Sequence, residues 1–379
     1  MKFYNKAVLP QGFQANGVAC GVKKSGKLDL ALIYSGLPAL AAIMSTTNDI
    51  PAAPIIVNAA HLKRAKKFHA IIANSGNANA FCGKAGVTAA QRMAEAAAGA
   101  LSIQKESVLV ASTGIIGKQL PVEKVETAAH ELAAGLAKNG ITKAAKAIMT
   151  TDKFLKAATV KFNIAAKPIT VCAVAKGAGM ISPDMATMLV FILTDAVISP
   201  GVLSAALRTA VKNTFNSITV DGCMSTNDTV ICLANQAAAN RQVKSGKGLG
   251  LFLAALEMVC LDLAKKIVRD GEGASKLIHI RVCGAKQSAQ ARKIALSIAN
   301  SNLFKTAMFA SSPNVRGRIV AAAGAGQTGI KENELKISFS PLHKKAVEIK
   351  VSVGRGKACA EVYTSDLTHK YIKINAEYN

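Results

Sequence analysis

Nine short apolar runs, rich in β-branched residues, constrain the fold of this 379-residue chain most strongly. Runs of this length and composition predict β-strands. They are LALIYS (30–35), PIIVNA (54–59), AIIANS (70–75), SVLVAS (107–112), TVCAVAK (170–176), TMLVFIL (187–193), TVICLAN (229–235), IHIRVCG (278–284) and AVEIKVSVG (346–354). With so many predicted strands, an all-helical fold is excluded.

Five segments with helical periodicity lie between these strands. They are AAQRMAEAAAGALS (89–102), VEKVETAAHELAAGLAK (122–138), VLSAALRTAVKNTF (202–215), the segment 249–266 and SAQARKIALSIANSNLF (288–304). Strands and helices do not follow a strict βαβα order. The order therefore favours an α+β layered sandwich over a Rossmann sheet, and the length allows about two or three domains.

Two glycine-rich stretches are similar to phosphate-binding loops. GVKKSGKL (21–28) has Leu28 where the GxxxxGK[ST] loop needs a hydroxyl that binds Mg²⁺, so we interpret it as a turn. GAGQTG (324–329) fits GxGxxG, but the following IKENELKISF is a poor opening for a packed helix. Neither stretch is therefore predicted to bind a nucleotide.

The net charge of +25 raises the question of a nucleic-acid partner. The excess is divided almost evenly, +13 for residues 1–186 and +12 for residues 187–379. The densest basic stretch, HLKRAKKFHA (61–70), is short, and with 4% aromatic residues and no Trp, stacking platforms for single strands are scarce. We therefore expect no nucleic-acid partner, and a basic nucleic-acid-binding protein is kept as the non-enzymatic alternative.

The cysteines and histidines indicate whether the protein binds a metal, and the apolar segments indicate where in the cell it is located. Eight cysteines form no CxxC pair, which predicts no disulfide framework and no zinc site. The six histidines show no HxxxH or HExxH spacing. The start, MKFYNKAVLPQGF, lacks a signal-peptide core, and the apolar segment from Leu249 carries Glu257 and Asp262. We expect a cytoplasmic protein without a membrane span.

The stretch KGAGMISPDMATMLVFILTD (176–195) runs from a glycine- and proline-rich loop into an apolar strand, with Thr187 at the junction. If the Ala186–Thr187 bond is cut, Thr187 gains an α-amine, whose reference pKa of about 7.7–8 leaves a neutral fraction near pH 7. One residue then holds nucleophile and base. Taken alone, a β-branched residue that opens a strand is the simpler interpretation.

A second motif and three polar clusters are further candidates. ASTGIIG (111–117) offers the Thr113 hydroxyl and the N–H groups around Gly114 for an oxyanion hole, with a routine turn as the alternative. The clusters are NSGNANAFCG (74–83), NSITVDGCMSTNDT (216–229) and RDGEGASK (269–276). They suit either loops that satisfy their own backbone or a pocket for a zwitterion, and spacing does not decide between these.

Together these motifs resemble the ornithine acetyltransferase family, the glutamate N-acetyltransferases of arginine biosynthesis. The blocks that carry the resemblance are, in the family's order, NSGNANAFCG, ASTGIIG, AIMTTDK, KGAGMISPDMATMLVFILTDA, TVDGCMSTNDT, RDGEGASK and YIKINAEYN. The resemblance covers essentially the whole chain. It implies a layered α/β/β/α sandwich resembling N-terminal nucleophile enzymes of the DmpA and ornithine acetyltransferase kind, with a smaller C-terminal subdomain.

The resemblance implies self-cleavage between Ala186 and Thr187 into an α chain, 1–186, and a β chain, 187–379, which stay together as an α2β2 assembly. Thr187 would take an acetyl group from N2-acetyl-L-ornithine and pass it to L-glutamate in a ping-pong exchange, with no metal or organic cofactor. Whether acetyl-CoA is also a donor stays open. An N-terminal nucleophile aminopeptidase or amidase, with water as final acceptor, is the enzymatic alternative.

The family motifs also imply individual site residues. Thr113 and Gly114 match oxyanion-hole positions. The substrate-binding positions match Thr150 (or Thr151, if its block is offset by one), Lys176, Thr187, Glu272 and Asn375. Lys176 suits a substrate carboxylate and Glu272 an ammonium group, with a local salt bridge as the simpler role for Glu272.

Three blocks depart from the family pattern. The family's Thr or Ser shortly after the NAxYx segment has no counterpart before Asn379. SSPNVRGRI (311–319) stands where the family has a block resembling DPNWGRI, and Cys223 follows TVDG where Asp is common. None of the three involves Thr187, so we expect the chemistry to be retained and any effect to fall on affinity or assembly.

Overall fold

Most of the apolar runs become strands in the computed structural model, which describes residues 1–182 and 188–377. The predicted cleavage residues Ala186 and Thr187 lie outside the described residues. The described strands are β1 (Lys2–Tyr4), β2 (Phe13–Val18), β3 (Leu30–Ser45), β4 (Phe68–Asn77), β5 (Val108–Ile115), β6 (Lys156–Ile164), β7 (Lys167–Lys176), β8 (Leu189–Thr194), β9 (Thr229–Ala234), β10 (Leu277–Ala285), β11 (Lys336–Phe339), β12 (Ala346–Ser352) and β13 (Ala358–Ser365). The described helices are α1 (Ala53–Arg64), α2 (Gly83–Leu101), α3 (Val122–Ala134), α4 (Ile141–Ala147), α5 (Pro200–Asn213), α6 (Gly246–Arg269), α7 (Ser288–Ala299), α8 (Asn302–Ala310), α9 (Val315–Ala325) and α10 (His369–Ala376).

The described residues divide into two units. The first comprises those of Met1–Gly177, Asp184–Phe215 and Met224–Leu263. The second comprises those of Ala178–Pro183, Asn216–Cys223 and Ala264–Asn379. The first unit thus draws on segments from both sides of the predicted cleavage junction, and the division into chains 1–186 and 187–379 stays a prediction.

The first unit contains a nine-stranded sheet in the order β1-β6-β7-β8-β9-β3-β4-β5, with β2 paired to β3. Strand β3 runs through both parts of it: residues 30–34 pair with β4, residues 40–45 pair with β9, and the register shifts between them. We call β2, the start of β3, β4 and β5 the first half-sheet. The end of β3 with β1, β6, β7, β8 and β9 is the second half-sheet.

The two half-sheets of this unit face each other across one core. Ile33 and Leu109 of the first half-sheet belong to the same buried cluster as Phe191 and Ile231 of the second. Burial of such side chains stabilises a fold by about 1.5–3 kcal/mol each, which makes this inner layer a major source of stability.

Helices cover the outer faces. Val57 of α1, Met93 of α2 and Val125 of α3 share a buried cluster with Ile72 and Val110, which point away from the inner core. On the second half-sheet, the outward alternate residues of β8 and β9 are fully buried as well, and α5 packs against β3. The predicted layered α/β/β/α sandwich is confirmed.

The second unit is the smaller C-terminal subdomain that was expected. Its sheet has the order β11-β12-β10-β13, with β10 and β12 parallel and the other neighbours antiparallel. Helix α7 packs against β10 and β13. Ile280, Ile294 and Ile349 belong to its core.

A disulfide in this unit departs from the expectation that the cysteines form none. Cys283 and Cys359 are bonded, with their Cα atoms 4.2 Å apart. The two residues are 76 positions apart in sequence and come together where β10 and β13 pair around a register shift. Sequence spacing carries no sign of this pairing.

The strand predicted at PIIVNA (54–59) is wrong, because these residues lie in α1. Pro54 occupies the first turn, where its missing N–H costs nothing. Buried residues recur at helical spacing, and one of them, Asn58, exchanges two 2.8 Å hydrogen bonds with the backbone of Val110 on edge strand β5. An apolar run of six residues is ambiguous between strand and buried helix, and here the edge of the sheet selects the helix.

The structure also tests the predicted helix at 288–304, the two glycine-rich stretches and the predicted absence of a membrane span. The single helix expected at 288–304 is two, α7 and α8, because Ser301 caps α8 by accepting a hydrogen bond from the N–H of Phe304. Residues 21–28 form turns, as interpreted, and GAGQTG lies at the end of α9 instead of opening a helix. Of the helices in the described ranges, none combines the length and apolar character that a bilayer crossing requires.

Candidate functional site

Two predicted site residues, Thr113 and Lys176, lie side by side in the first unit. Thr113 is near the end of β5, and Lys176 is the last residue of β7. Lys176 Nζ donates a hydrogen bond to Thr113 Oγ1 over 3.2 Å. Both residues are buried, with 3% of Lys176 and 4% of Thr113 exposed. A buried ammonium group needs a counter-charge, because burial disfavours the charged form.

Asp152 supplies that counter-charge. Its Oδ1 accepts hydrogen bonds from Lys156 Nζ at 2.6 Å and from the N–H of Gly177 at 2.8 Å. Its Oδ2 accepts from the N–H of Thr150 at 2.9 Å. Burial raises the pKa of Asp152, but the charges of Lys176 and Lys156, together with the hydrogen bonds from Gly177 and Lys156, lower the pKa to about 2. Asp152 is therefore ionised, and it fixes the backbone at Thr150 and directly after Lys176.

Gly114, the other predicted oxyanion-hole residue, has a backbone that only glycine adopts readily. Its φ is +136°, and the parallel register of β4 and β5 places it opposite Gly76. A Cβ on Gly114 would overlap the backbone of Gly76 and Asn77. Both the conformation and the close approach of β4 therefore require glycine. The oxyanion-hole role of Thr113 and Gly114 remains a prediction.

Lys23, which the sequence did not single out, belongs to the same group. Its Nζ donates to the carbonyl oxygens of Leu28 at 2.9 Å and Met149 at 2.7 Å. Burial lowers the pKa of Lys23 to about 8; the charge of Asp29 opposes this shift and that of Lys176 adds to it. The turn 21–28 thus carries a lysine that holds the carbonyl group immediately before Thr150 and Thr151.

The first two polar clusters satisfy buried backbone groups. Asn227 Nδ2 donates to the carbonyl oxygens of Ala78 at 2.6 Å and Ser112 at 2.9 Å. Ser112 Oγ donates to Asn74 Oδ1, and Asn74 Nδ2 donates to the carbonyl of Asn77. Of the two interpretations left open, support of the local backbone therefore describes these asparagines. They hold the strand end that carries Thr113.

A buried carboxyl group lies next to the first described residue after the predicted junction. Asp228 Oδ1 accepts a hydrogen bond from the N–H of Met188 at 2.9 Å. Its Oδ2 has no hydrogen-bond partner within residues 1–182 and 188–377. Burial raises the pKa of Asp228 well above its usual value. The group is therefore biased toward its protonated form, in which it can donate a proton.

Glu272 and Asn375 belong to the second unit, where they form a pair. Asn375 Nδ2, on α10, donates to Glu272 Oε2 at 2.9 Å. The N–H of Glu272 donates to the carbonyl of Ala178 at 2.8 Å. Gly179 packs so closely on the Glu272 carboxylate that a Cβ there would overlap it. Both predicted residues thus lie beside the start of the segment that leads to the junction.

The predicted residues therefore form two groups, one in each unit: Thr113, Gly114, Thr150 and Lys176 in the first, Glu272 and Asn375 in the second. Thr187 lies outside the described residues. In the described part of the chain, no group of three or more His, Cys, Asp or Glu residues is arranged to hold a metal ion.

Fold and site define a layered α+β protein in which a buried lysine, threonine and aspartate meet at strand ends of its main sheet. The ArgJ family model matches residues 14–343 and 339–379. The arginine biosynthesis bifunctional protein ArgJ of Caldanaerobacter subterraneus subsp. tengcongensis is 45% identical, over 98% of this chain and 98% of that protein. The chain belongs to the ArgJ family, and the resemblance inferred from its motifs is confirmed.

Two further proteins show the same likeness. The arginine biosynthesis bifunctional protein ArgJ of Gloeobacter violaceus is 43% identical, over 97% of this chain and 96% of that protein. Among solved structures, the ornithine acetyltransferase of Mycobacterium tuberculosis complexed with ornithine is 37% identical, covering 48% of this chain and 97% of that chain with a TM-score of 0.45.

Proposed function

We propose that this protein is a self-cleaving acetyltransferase of arginine biosynthesis, which moves the acetyl group of N2-acetyl-L-ornithine to L-glutamate through an acetyl-Thr187 intermediate. The observation that carries the proposal is the family match along nearly the whole chain. The relatives' name, arginine biosynthesis bifunctional protein, supports the pathway. Water as final acceptor, the amidase alternative, is left as an outcome of the assay below.

Self-cleavage would proceed by attack of Thr187 Oγ on the carbonyl carbon of Ala186. The C–O ester bond forms, the C–N peptide bond breaks, and the proton of Oγ ends on the freed nitrogen. Water then hydrolyses the ester, which leaves a carboxylate on Ala186 and restores the hydroxyl of Thr187. Chains 1–186 and 187–379 would stay associated, as an α2β2 assembly in the cytoplasm.

Acetyl transfer uses the same oxygen and the new α-amine. Thr187 Oγ attacks the acetyl carbonyl, the acetyl C–N bond breaks, and the amine carries the Oγ proton to the departing ornithine nitrogen. In the second half-reaction the amine of glutamate attacks the acetyl ester. The C–O bond then breaks, and the proton lost by glutamate returns to Oγ. The same acyl-enzyme could form from acetyl-CoA, with the thiol as leaving group.

The contacts of the first unit support the assigned roles. Because the Lys176 ammonium donates to Thr113 Oγ1, the Thr113 hydroxyl can direct its own proton to an oxyanion, next to the N–H groups around Gly114. Lys176 also adds positive charge for a substrate carboxylate, with Thr150 beside it along the Asp152 network. In the second unit, the Glu272 carboxylate, oriented by Asn375, suits a substrate ammonium group.

The cleavage itself is tested by a denaturing gel and mass spectrometry of purified protein. We expect two chains in place of the 39.3 kDa precursor, with Thr187 as the new N-terminus. Thr187→Ala should stay whole and inactive, and Thr187→Ser should retain some cleavage. Thr127→Ala, an exposed threonine of α3, is the matched control and should cleave normally. An active enzyme that remains uncleaved in every molecule would overturn the proposal.

The acyl acceptor is tested with the cleaved enzyme. N-acetylornithine is supplied with and without glutamate, and N-acetylglutamate, ornithine and acetate are quantified. We expect N-acetylglutamate to match ornithine mole for mole, with little acetate. Acetate as the main product, independent of glutamate, would favour the amidase alternative. Replacing N-acetylornithine by acetyl-CoA in the same assay decides between one donor and two.

A further inference from the structure

The segment that leads to the predicted cleavage junction is held by one carboxylate in the second unit. Asp221 Oδ2 accepts a hydrogen bond from the N–H of Met180 at 2.7 Å, and Oδ1 accepts from the N–H of Ile181 at 2.9 Å. Two consecutive backbone amides thus bind the two oxygens of a single side chain. Hydrogen bonds to a charged acceptor are the stronger kind.

Ile181 is fixed from its other side as well. Its carbonyl oxygen accepts from the N–H of Val220 at 2.9 Å and from Thr219 Oγ1 at 3.1 Å. The residue is fully buried. The loop residues 219–221, from the block TVDG, therefore hold both the amide and the carbonyl of a residue five positions before Ala186.

The backbone conformation of Met180 shows why the hydrogen bonds to Asp221 are needed. Its φ is +57°, in the left-handed region that residues with a Cβ occupy rarely. Its side chain is partly exposed, with 37% accessible, so packing alone does not account for this conformation. The Asp221 hydrogen bond to its N–H compensates for the conformational cost.

We propose that Asp221 is a positioning residue for self-cleavage, which holds Met180 and Ile181 so that the chain leaves the second unit toward the Ala186–Thr187 junction from a fixed point of that unit. This inference rests on the proposed function. Attack of a hydroxyl on the preceding carbonyl requires a narrow range of geometries, and anchoring the chain five residues upstream removes most of the alternatives. Asp221 itself does not touch the reacting atoms in this scheme.

The same unit offers a matched control. Asp366 also holds two consecutive amides, those of Ser275 at 2.8 Å and Lys276 at 3.0 Å, but both donate to its single oxygen Oδ1 and both lie outside the segment that leads to the junction. Asp221→Asn keeps the size and one acceptor oxygen, and it turns an NH2 group toward one of the two N–H groups. Asp366→Asn can keep its oxygen toward both amides, and its NH2 group then meets Ser275 Oγ, which can accept. Asp366→Asn therefore makes the same chemical change away from the segment that leads to the junction, with a smaller loss of hydrogen bonds.

The test measures the rate at which newly made full-length chain is cleaved. The chain is labelled during cell-free translation, translation is then stopped, and samples taken at increasing times are separated on a denaturing gel. We expect Asp221→Asn to cleave at least about tenfold more slowly than the parent, since displaced reacting groups lose rate steeply. Asp366→Asn should cleave at close to the parent's rate. A parent chain that does not cleave would refute the proposed function itself, which is a separate result.

A second substitution separates positioning from general stability. Glycine adopts a positive φ without cost, so Met180→Gly in the Asp221→Asn background should restore part of the cleavage rate. Slow cleavage of Asp221→Asn supports the proposal in either of two cases. In the first, adding Met180→Gly speeds the cleavage. In the second, Asp221→Asn unfolds at a temperature close to that of Asp366→Asn, so that its slow cleavage is not due to lost stability. Slow cleavage with neither property, or cleavage of Asp221→Asn at the parent's rate, overturns the proposal.

Discussion

Asp152 is the residue on which the buried charges of the first unit depend. Its side chain and that of Lys156 are both fully buried, and Lys176 lies within electrostatic range of the same carboxylate. Two buried ammonium groups without a carboxylate would each carry the full penalty of lost hydration. Ionised Asp152 therefore stabilises both lysines in their buried positions.

We accordingly expect Asp152→Asn to lower the free energy of unfolding by about 3–5 kcal/mol, the usual loss when one partner of a buried ion pair is removed. Urea unfolding at neutral pH measures it. Glu95→Gln, which removes an exposed pair with Lys105, is the control and should change little. An Asp152→Asn loss no larger than that of the control would contradict the assigned role.

The ion pair of Asp152 with Lys156 also predicts that stability depends on pH. The folded pKa of Asp152, about 2, lies below the unfolded value of about 3.9. The unfolded state therefore binds the proton first as pH falls. The contribution of Asp152 is complete above about pH 4 and is lost progressively toward about pH 2. Asp152→Asn should lack this part of the acid-induced loss of stability, which unfolding measured between pH 5 and pH 2 can detect.

For single residues, sequence motifs predict candidate site residues that belong to a recognisable motif. They do not predict residues that join the site only because the fold brings distant segments together. Thr113 and Lys176 were predicted, and the structure joins them. Lys23 was not, because its partner carbonyl at Met149 is 126 residues away and no local pattern links the two. Asp152 stood within a quoted block, but a single aspartate there gave no sign that it would be buried between lysines.

At the level of elements, the close parallel pairing of β4 and β5 defines the geometry around Thr113. Gly114→Ala would place a methyl group into the backbone of Gly76, in addition to the strain of a positive φ. We expect it to destabilise the protein by more than about 1 kcal/mol. On the proposed oxyanion-hole role it should also lower kcat by about 100-fold, the usual effect of losing one oxyanion contact. Unfolding and steady-state kinetics on one preparation measure both.

Gly117→Ala separates the cost of a positive φ from the cost of steric overlap with β4. Gly117 also has a positive φ, of +82°, but a Cβ there would meet no atom within 4 Å. Its substitution should therefore cost only the conformational strain and leave kcat near the parent value. Equal losses of kcat in the two variants would mean that the close approach of β4 is irrelevant to activity.

Elements were predictable where the pattern was long or strongly periodic. The apolar runs of β7 and β8 and the long helix α6 were found at nearly their observed bounds. PIIVNA was assigned wrongly, because its helical role is set by Asn58 covering the edge of β5, a contact across 52 residues. Strand β6 was missed: KAATVKFNI carries two lysines and an asparagine, and its pairing with β7 and β1 makes it a strand.

At the scale of the whole molecule, the sequence predicted the class and the smaller C-terminal unit but not the covalent link inside it. The Cys283–Cys359 bond depends on the pairing of β10 with β13, which is a property of the folded sheet. Net charge, by contrast, is fully determined by the sequence. The large excess of positive charge predicts a general electrostatic effect on stability.

A chain with a net charge of +25 repels itself in the compact state. Raising NaCl from about 10 mM to about 100 mM shortens the screening length from about 30 Å to about 10 Å, which weakens this repulsion. We expect Tm at pH 7 to rise by about 2–4 °C, equivalent to about 1 kcal/mol for a unit of this size. At pH 10, close to the lysine pKa of about 10.4, part of the charge is lost and the rise should shrink. A Tm that falls with salt at pH 7 would mean instead that ion pairs such as Arg92–Glu126 outweigh the repulsion.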